Sequence, residues 1–116
     1  MDELAKKIRL ARLIDFYGPL LTAHRRELLR MYCEEDLSLA EIAQAMGEAG
    51  KPLTRQGVYD AVAKAEKQLT ALEAQLGLMN RYDNLTREAD ACLKALEAGE
   101  TELAKAALRR MKEIER

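Results

Sequence analysis

The sequence predicts an all-α protein: a helix-turn-helix head ending in a long fourth helix, then a C-terminal helical hairpin. Three observations carry this. The apolar residues are mostly Leu, Ala, Ile, Val and Met, with aromatics at 4%, no Trp and only two prolines, a composition that favours helices over sheet. Apolar positions recur three and four residues apart along most of the chain. Between Asp36 and Leu69 a short capped helix, a turn marked by Gly and Pro, and a longer helical pattern follow in helix-turn-helix order. The 116 residues suit one small domain with a helical extension. The boundary falls between 1–76, the head with its long helix, and 77–116, a tail expected to pack on that helix or on a second subunit.

The first helix is expected from about Glu3 to Tyr17, with Leu4, Ile8, Ala11, Ile14 and Phe16 or Tyr17 as its apolar positions. Lys6, Lys7, Arg9 and Arg12 give it a basic side, read as a solvated face, with phosphate contact as the alternative. Gly18-Pro19 stops it. Thr22 is the N-cap of the second helix, which carries Leu28, Leu29, Met31 and Tyr32 to about Cys33. The single histidine, His24, stands beside Arg25 and Arg26 with no second ligand or nucleophile near it in sequence, and reads as a surface residue.

Ser38 and Glu41 form the S-x-x-E capping box of the third helix, whose Leu39, Ile42, Ala43 and Met46 share a face. Gly47 is read as the left-handed turn residue. The turn then runs through Glu48, Ala49, Gly50, Lys51 and Pro52, longer than the usual three to four residues of such motifs. The fourth helix starts at Thr54 as N-cap and continues to Leu76, with Gly77 as its stop. Val58, Val62, Ala65, Leu69, Leu72 and Leu76 make a heptad-like seam along it. Its later part, Val62, Ala65, Leu69, Leu72 and Leu76, is the expected dimer or partner seam. Two further seams follow: Tyr82, Leu85, Ala89, Cys92 and Leu96, then, after Gly99, Leu103, Ala107, Met111 and Ile114.

Charge restricts the function. The chain has 19 basic and 20 acidic residues, where a dedicated polyanion binder shows a basic domain or stripe. Nucleic-acid affinity must then come from local clustering. The early residues of the second helix of a helix-turn-helix face the groove, which nominates Thr54, Arg55, Gln56 and Tyr59, with Lys64 one turn on and Arg25 and Arg26 on the preceding helix. Arg and Gln suit base edges, and Thr and Lys suit phosphate. Asp60 opposes a polyanion on the same face, so duplex DNA binding is expected to be weak. Cys33 and Cys92 match no metal or redox spacing. No paired-carboxylate site, phosphate-cradling loop or metal cluster is readable, so no catalytic residue, metal or cofactor is expected. With no bilayer-length apolar run and no leader, the expected setting is a reducing cytoplasm.

DFYGPLLT (15–22), YCEEDLSLAEIA (32–43) and TRQGVYDAVAKAEKQL (54–69) resemble the YlxM-type helix-turn-helix family. These are small bacterial cytoplasmic proteins whose genes typically neighbour those of the signal recognition particle pathway. The likeness runs from the first helix to the end of the fourth, and the head also looks like region 4 of bacterial sigma factors. The resemblance implies an all-helical homodimer with no enzyme activity and a regulatory or accessory role in co-translational targeting. Its implied partners are the particle's protein, RNA or receptor. The alternative is a DNA-binding transcriptional regulator. Two features depart from the family pattern: the insertion between Gly47 and Leu53, and Ala63 where relatives often carry a second basic residue beside Lys64.

Overall fold

A computed structural model describes residues 2–115. All the regular structure among them is helical: α1 (Glu3–Tyr17), a 3-10 turn (Gly18–Leu20), α2 (Ala23–Cys33), α3 (Leu39–Glu48), α4 (Arg55–Leu76), α5 (Leu78–Glu97) and α6 (Thr101–Ile114). The chain divides into two compact units, Met1–Leu76 and Gly77–Arg116.

In the head, polar side chains near each helix start take up backbone N–H groups that have no partner within the helix. Asp2 accepts from the Ala5 N–H at 2.7 Å, Thr22 from Arg25 at 3.1 Å and Thr54 from Gly57 at 2.9 Å. At α3 the capping box closes in both directions: the Ser38 hydroxyl accepts from the Glu41 N–H at 3.1 Å, and the Glu41 carboxylate accepts from the Ser38 N–H at 2.8 Å. That second bond holds the Glu41 carboxyl below its ordinary pKa.

The long turn has its own fixed geometry. Gly50, at φ +80°, is the left-handed residue. The Lys51 N–H donates to the Met46 carbonyl at 2.8 Å and the Gly50 N–H to the Gly47 carbonyl at 3.1 Å, the paired bonds of a Schellman ending. This corrects the assignment of Gly47, which lies inside α3. The helix runs past it and closes its end at Gly50, three positions later.

The core joins all four head helices: Leu10, Leu13, Ile14 and Tyr17 from α1; Leu28, Leu29, Met31 and Tyr32 from α2; Ile42 and Met46 from α3; Val58, Val62, Ala65 and Leu69 from α4. Two expectations are overturned here. Leu4 and Ile8 are 68% and 55% exposed. The buried arc of α1 is rotated from the Leu4–Ile8–Ala11 stripe by about a third of a turn, because α1 packs on both α2 and α4. The α4 seam is also filled from within the chain. Val62, Ala65 and Leu69 pack in the head core, Leu72 is half-buried, and only Leu76 among these five is exposed. Helix α1 supplies the cover that a partner helix was expected to give: the Tyr17 hydroxyl donates to Glu73 at 2.6 Å, Arg9 donates to Thr70 at 3.3 Å and Lys6 pairs with Glu66 at 3.7 Å.

In the second unit α5 and α6 run antiparallel around a turn made by Gly99, at φ +74°, with the Glu100 N–H donating to the Ala95 carbonyl at 2.8 Å. The interface is small-residue packing: Cys92, Ala95, Ala104 and Ala107, with Ala91 against them. Arg110 and Glu88 bridge the helices at 2.8 Å. Of the two seams read from the sequence here, only Cys92 and Ala107 are buried. Alanine lets the backbones approach closely, and the larger side chains are turned to the flanks.

Candidate nucleic-acid interface

Helix α4 makes a two-sided structure of its first four turns. Val58, Val62, Ala65 and Leu69 face the core, so helical geometry puts Gln56, Asp60, Ala63, Lys64 and Lys67 on the opposite side. All five are exposed. Arg55 and Tyr59 lie at one edge of this face and are exposed too. The start of the face is set by Leu53 and Thr54. A Cβ on Gly57 would stand 3.2 Å from the Thr54 hydroxyl oxygen and 3.5 Å from the end of the Leu53 side chain. Glycine there leaves room for the cap and for the half-buried Leu53, so the lengthened turn still delivers α4 in a fixed orientation.

The nominated residues differ in availability. The Thr54 hydroxyl already accepts the capping bond. The Gln56 amide donates to Asp60 at 3.1 Å, which holds it along the helix and blunts the Asp60 charge. Arg25 is committed: its guanidinium donates to Gln68 at 2.7 Å, tying α2 to α4. Arg26 is exposed, its stem packed over Gly18. Arg55 and Lys64 are exposed, and neither makes an ion pair among the described residues. Lys67, which was not nominated from the sequence, joins them. Its spacing of three from Lys64 was the readable signal.

Three other head cations are neutralised. Lys7 pairs with Asp36 at 2.6 Å and sits 4.7 Å from the centre of the Tyr32 ring. Lys6 pairs with Glu66, and Arg30 with Glu27 and Glu35 at 2.6 and 2.5 Å. Glu27 is held below its ordinary carboxylate value by that Arg30 bond. The basic side of α1 thus serves largely to fasten α1 to its neighbours. Beside α4 these groups line a cleft of about 420 Å³ whose walls include Lys6, Tyr32, Leu37, Tyr59 and Glu66. Tyr32, on its floor, donates to Glu3, and burial, with the Glu3 carboxylate, raises the phenol well above its usual pKa.

Among the described residues no group of three or more His, Cys, Asp or Glu could hold a metal ion, and no helix is long and apolar enough to cross a membrane. Both cysteines are free, Cys33 half-buried and Cys92 buried.

A capped third helix, a fixed turn and a fourth helix with an exposed N-terminal face define the class: an all-α helix-turn-helix protein. Sequence comparison gives the family. The chain belongs to the UPF0122 family, described as "Putative helix-turn-helix protein, YlxM / p13 like", whose model matches residues 4–108. It is similar to the UPF0122 protein of Symbiobacterium thermophilum, 40% identical over 100 residues that span 86% of this chain and 89% of the relative. The UPF0122 protein of Latilactobacillus sakei is 40% identical over 96 residues, 83% of this chain and 80% of the relative. That of Desulforamulus reducens is 34% identical over 100 residues, 86% and 81% respectively. No solved structure matches the chain significantly.

Proposed function

We propose that the protein is a non-enzymatic accessory factor of the signal recognition particle pathway, acting by binding, with α4 placed against structured RNA. One observation carries the binding mode: Arg55, Lys64 and Lys67, around the exposed side of α4, make no ion pair among the described residues, while Lys6, Lys7 and Arg30 of α1 and α2 are paired internally. Three cations with one nearby carboxylate suit a few phosphate contacts. Recognition of RNA by shape can rest on such contacts, whereas tight duplex DNA binding typically draws on more. The pathway assignment rests on the family resemblance. The particle's RNA, its protein and its receptor are the partners to test.

The second reading, a DNA-binding regulator, is favoured by Arg55 at the start of α4, where a guanidinium can reach a guanine edge. The Gln56–Asp60 bond weighs against it, because it occupies the amide that would read adenine.

The test is the salt dependence of binding of the full chain to the particle's RNA and to duplex DNA of matched length. The RNA is expected to bind more tightly. Arg55→Ala with Lys64→Ala should weaken binding and flatten the slope of log affinity against log salt by about two. Unchanged affinity and slope would remove α4 from the interface, and preference for a particular duplex would establish the regulator instead. Capture from lysate with and without RNase separates RNA-borne from protein-borne association with the particle.

A further inference from the structure

We infer that the cleft beside α4 is a nucleobase pocket, which takes an unpaired guanine of the RNA bound along that helix. The pocket rests on the RNA reading proposed above and adds to it the group that recognises a base. The cleft, of about 420 Å³, lies in the head where α1 and the start of α3 approach α4. Its volume is within the roughly 300–1,000 Å³ of sites that hold small molecules. Tyr59, Val62, Ala63 and Glu66 form its α4 wall, and the half-buried Leu37 and Leu39 add apolar surface. Tyr59 is 56% exposed. An aromatic ring left this open at the edge of a cleft offers a base a stacking surface.

The polar groups select the occupant. Lys7 is committed to Asp36 at 2.6 Å, and Glu3 accepts the Tyr32 hydroxyl. Lys6 and Glu66 are held more loosely, 3.7 Å apart and each half-buried. That separation is beyond hydrogen-bond distance, so the ammonium and the carboxylate can each still bond a ligand. An anionic group in the cleft would meet Glu3 and Glu66, and a cationic one would meet Lys6 and Lys7. A neutral planar group with an acceptor beside donors avoids both costs. Adenine, cytosine and uracil each set an acceptor beside one donor. Guanine sets its O6 beside two donors, N1–H and the 2-amino group. Lys6 then donates to O6, and both Glu66 oxygens accept.

Position favours a base within a strand over a free nucleotide. Arg55, Tyr59, Ala63 and Lys67 follow at intervals of four along α4, which makes them one ridge of the helix. Arg55 lies about 6 Å before Tyr59 along the axis and Lys67 about 12 Å after it. These exposed cations bracket the cleft, where the phosphates on either side of an inserted base would run. A free nucleotide would engage one of them at most.

The experiment measures binding of the full chain to hairpin RNAs that share one stem and differ in a single unpaired loop base, with circular dichroism to confirm that each variant is folded. The wild type should prefer the guanine loop to the adenine, cytosine and uracil loops by about tenfold, and Glu66→Gln should bring that preference within about twofold. Asp60→Asn removes a carboxylate from α4 outside the cleft and should keep the preference. Tyr59→Ala should weaken binding of every loop about tenfold and leave the salt slope unchanged, since it removes no charge. Binding by the wild type with no base preference overturns the pocket and leaves the RNA reading of α4 standing. So does a guanine preference that survives Glu66→Gln, or a Tyr59→Ala variant that binds like the wild type. A wild type that binds none of the hairpins overturns both. Guanosine monophosphate bound as tightly as the guanine loop overturns the strand as the source of the base.

Discussion

In the head, large side chains are inside and charged ones fasten the outside. Leu10, Leu13, Leu28, Leu29, Ile42 and Leu69 are fully buried, and side-chain bonds from Lys6, Arg9, Tyr17 and Arg25 tie α1 and α2 to α4. In the hairpin the order is inverted. Alanine and cysteine are inside, while Leu93, Leu96, Leu103 and Leu108 face outward. Both units draw on the same residue types and the same helical periodicity. The difference lies in how many helices share the burial. Four head helices can enclose a leucine from several sides, whereas two helices alone enclose only the narrow strip between them. A seam in the sequence therefore marks a face that must be covered, and not which element covers it.

The largest test of this contrast is to place the same charge in each unit. Leu69→Asp puts a carboxylate among fully buried side chains with no partner and should cost more than about 4 kcal/mol. The expected result is loss of the head's cooperative thermal transition. Leu96→Asp, on an exposed flank of the hairpin, should leave that transition in place. If the two variants melt alike, the head core and the hairpin flank are not the different environments described.

The elements themselves were legible in the sequence. Ser38 with Glu41, Thr22, Thr54, Gly77 and Gly99 each mark a helix end through chemistry local to a few residues, and each end falls where that chemistry places it. The partners of the seams were not legible. Leu4 and Ile8 obey helical spacing as well as Leu10 and Tyr17 do, and the choice between them depends on α2 and α4, distant in sequence. The pairing of Lys7 with Asp36 and of Arg25 with Gln68 was hidden for the same reason. The candidate site was half legible: Arg55 and Lys64 are available, Arg25 is committed to α4, and Lys67 was passed over.

A smaller effect is expected at the hairpin interface. Ala107 is fully buried between α5 and α6, and Ala107→Leu should cost about 1–3 kcal/mol by forcing the helices apart. The chain should lose part of its α5–α6 amide protection in hydrogen exchange while α1–α4 keep theirs. Next in size, Ser38→Ala removes one arm of the capping box at α3 and should cost about 1 kcal/mol, read in a denaturant melt of the head. An increase in hairpin exchange with Ser38→Ala would show that the units are not energetically separate.

The smallest effect concerns the thiol of the head. Burial, with the Glu34 carboxylate adding to it, pushes Cys33 up to about 11 from an ordinary 9. The folded head thus holds the neutral thiol where an unfolded chain would begin to release its proton. The sign follows from linkage. The folded state binds the proton more tightly, so this contribution is complete below pH 9 and is lost as pH rises from about 9 towards 11. Its size is on the order of 1 kcal/mol once partial exposure is allowed for. Wild type and Cys33→Ala should therefore lose stability in parallel up to about pH 9, with the wild type falling faster above it. Alkylation of Cys33 in the folded chain should lag a free thiol through the same interval. Parallel curves across the whole range would mean that the thiol is as well solvated folded as unfolded, and that the α1–α2 side of the head is more open than its packing indicates.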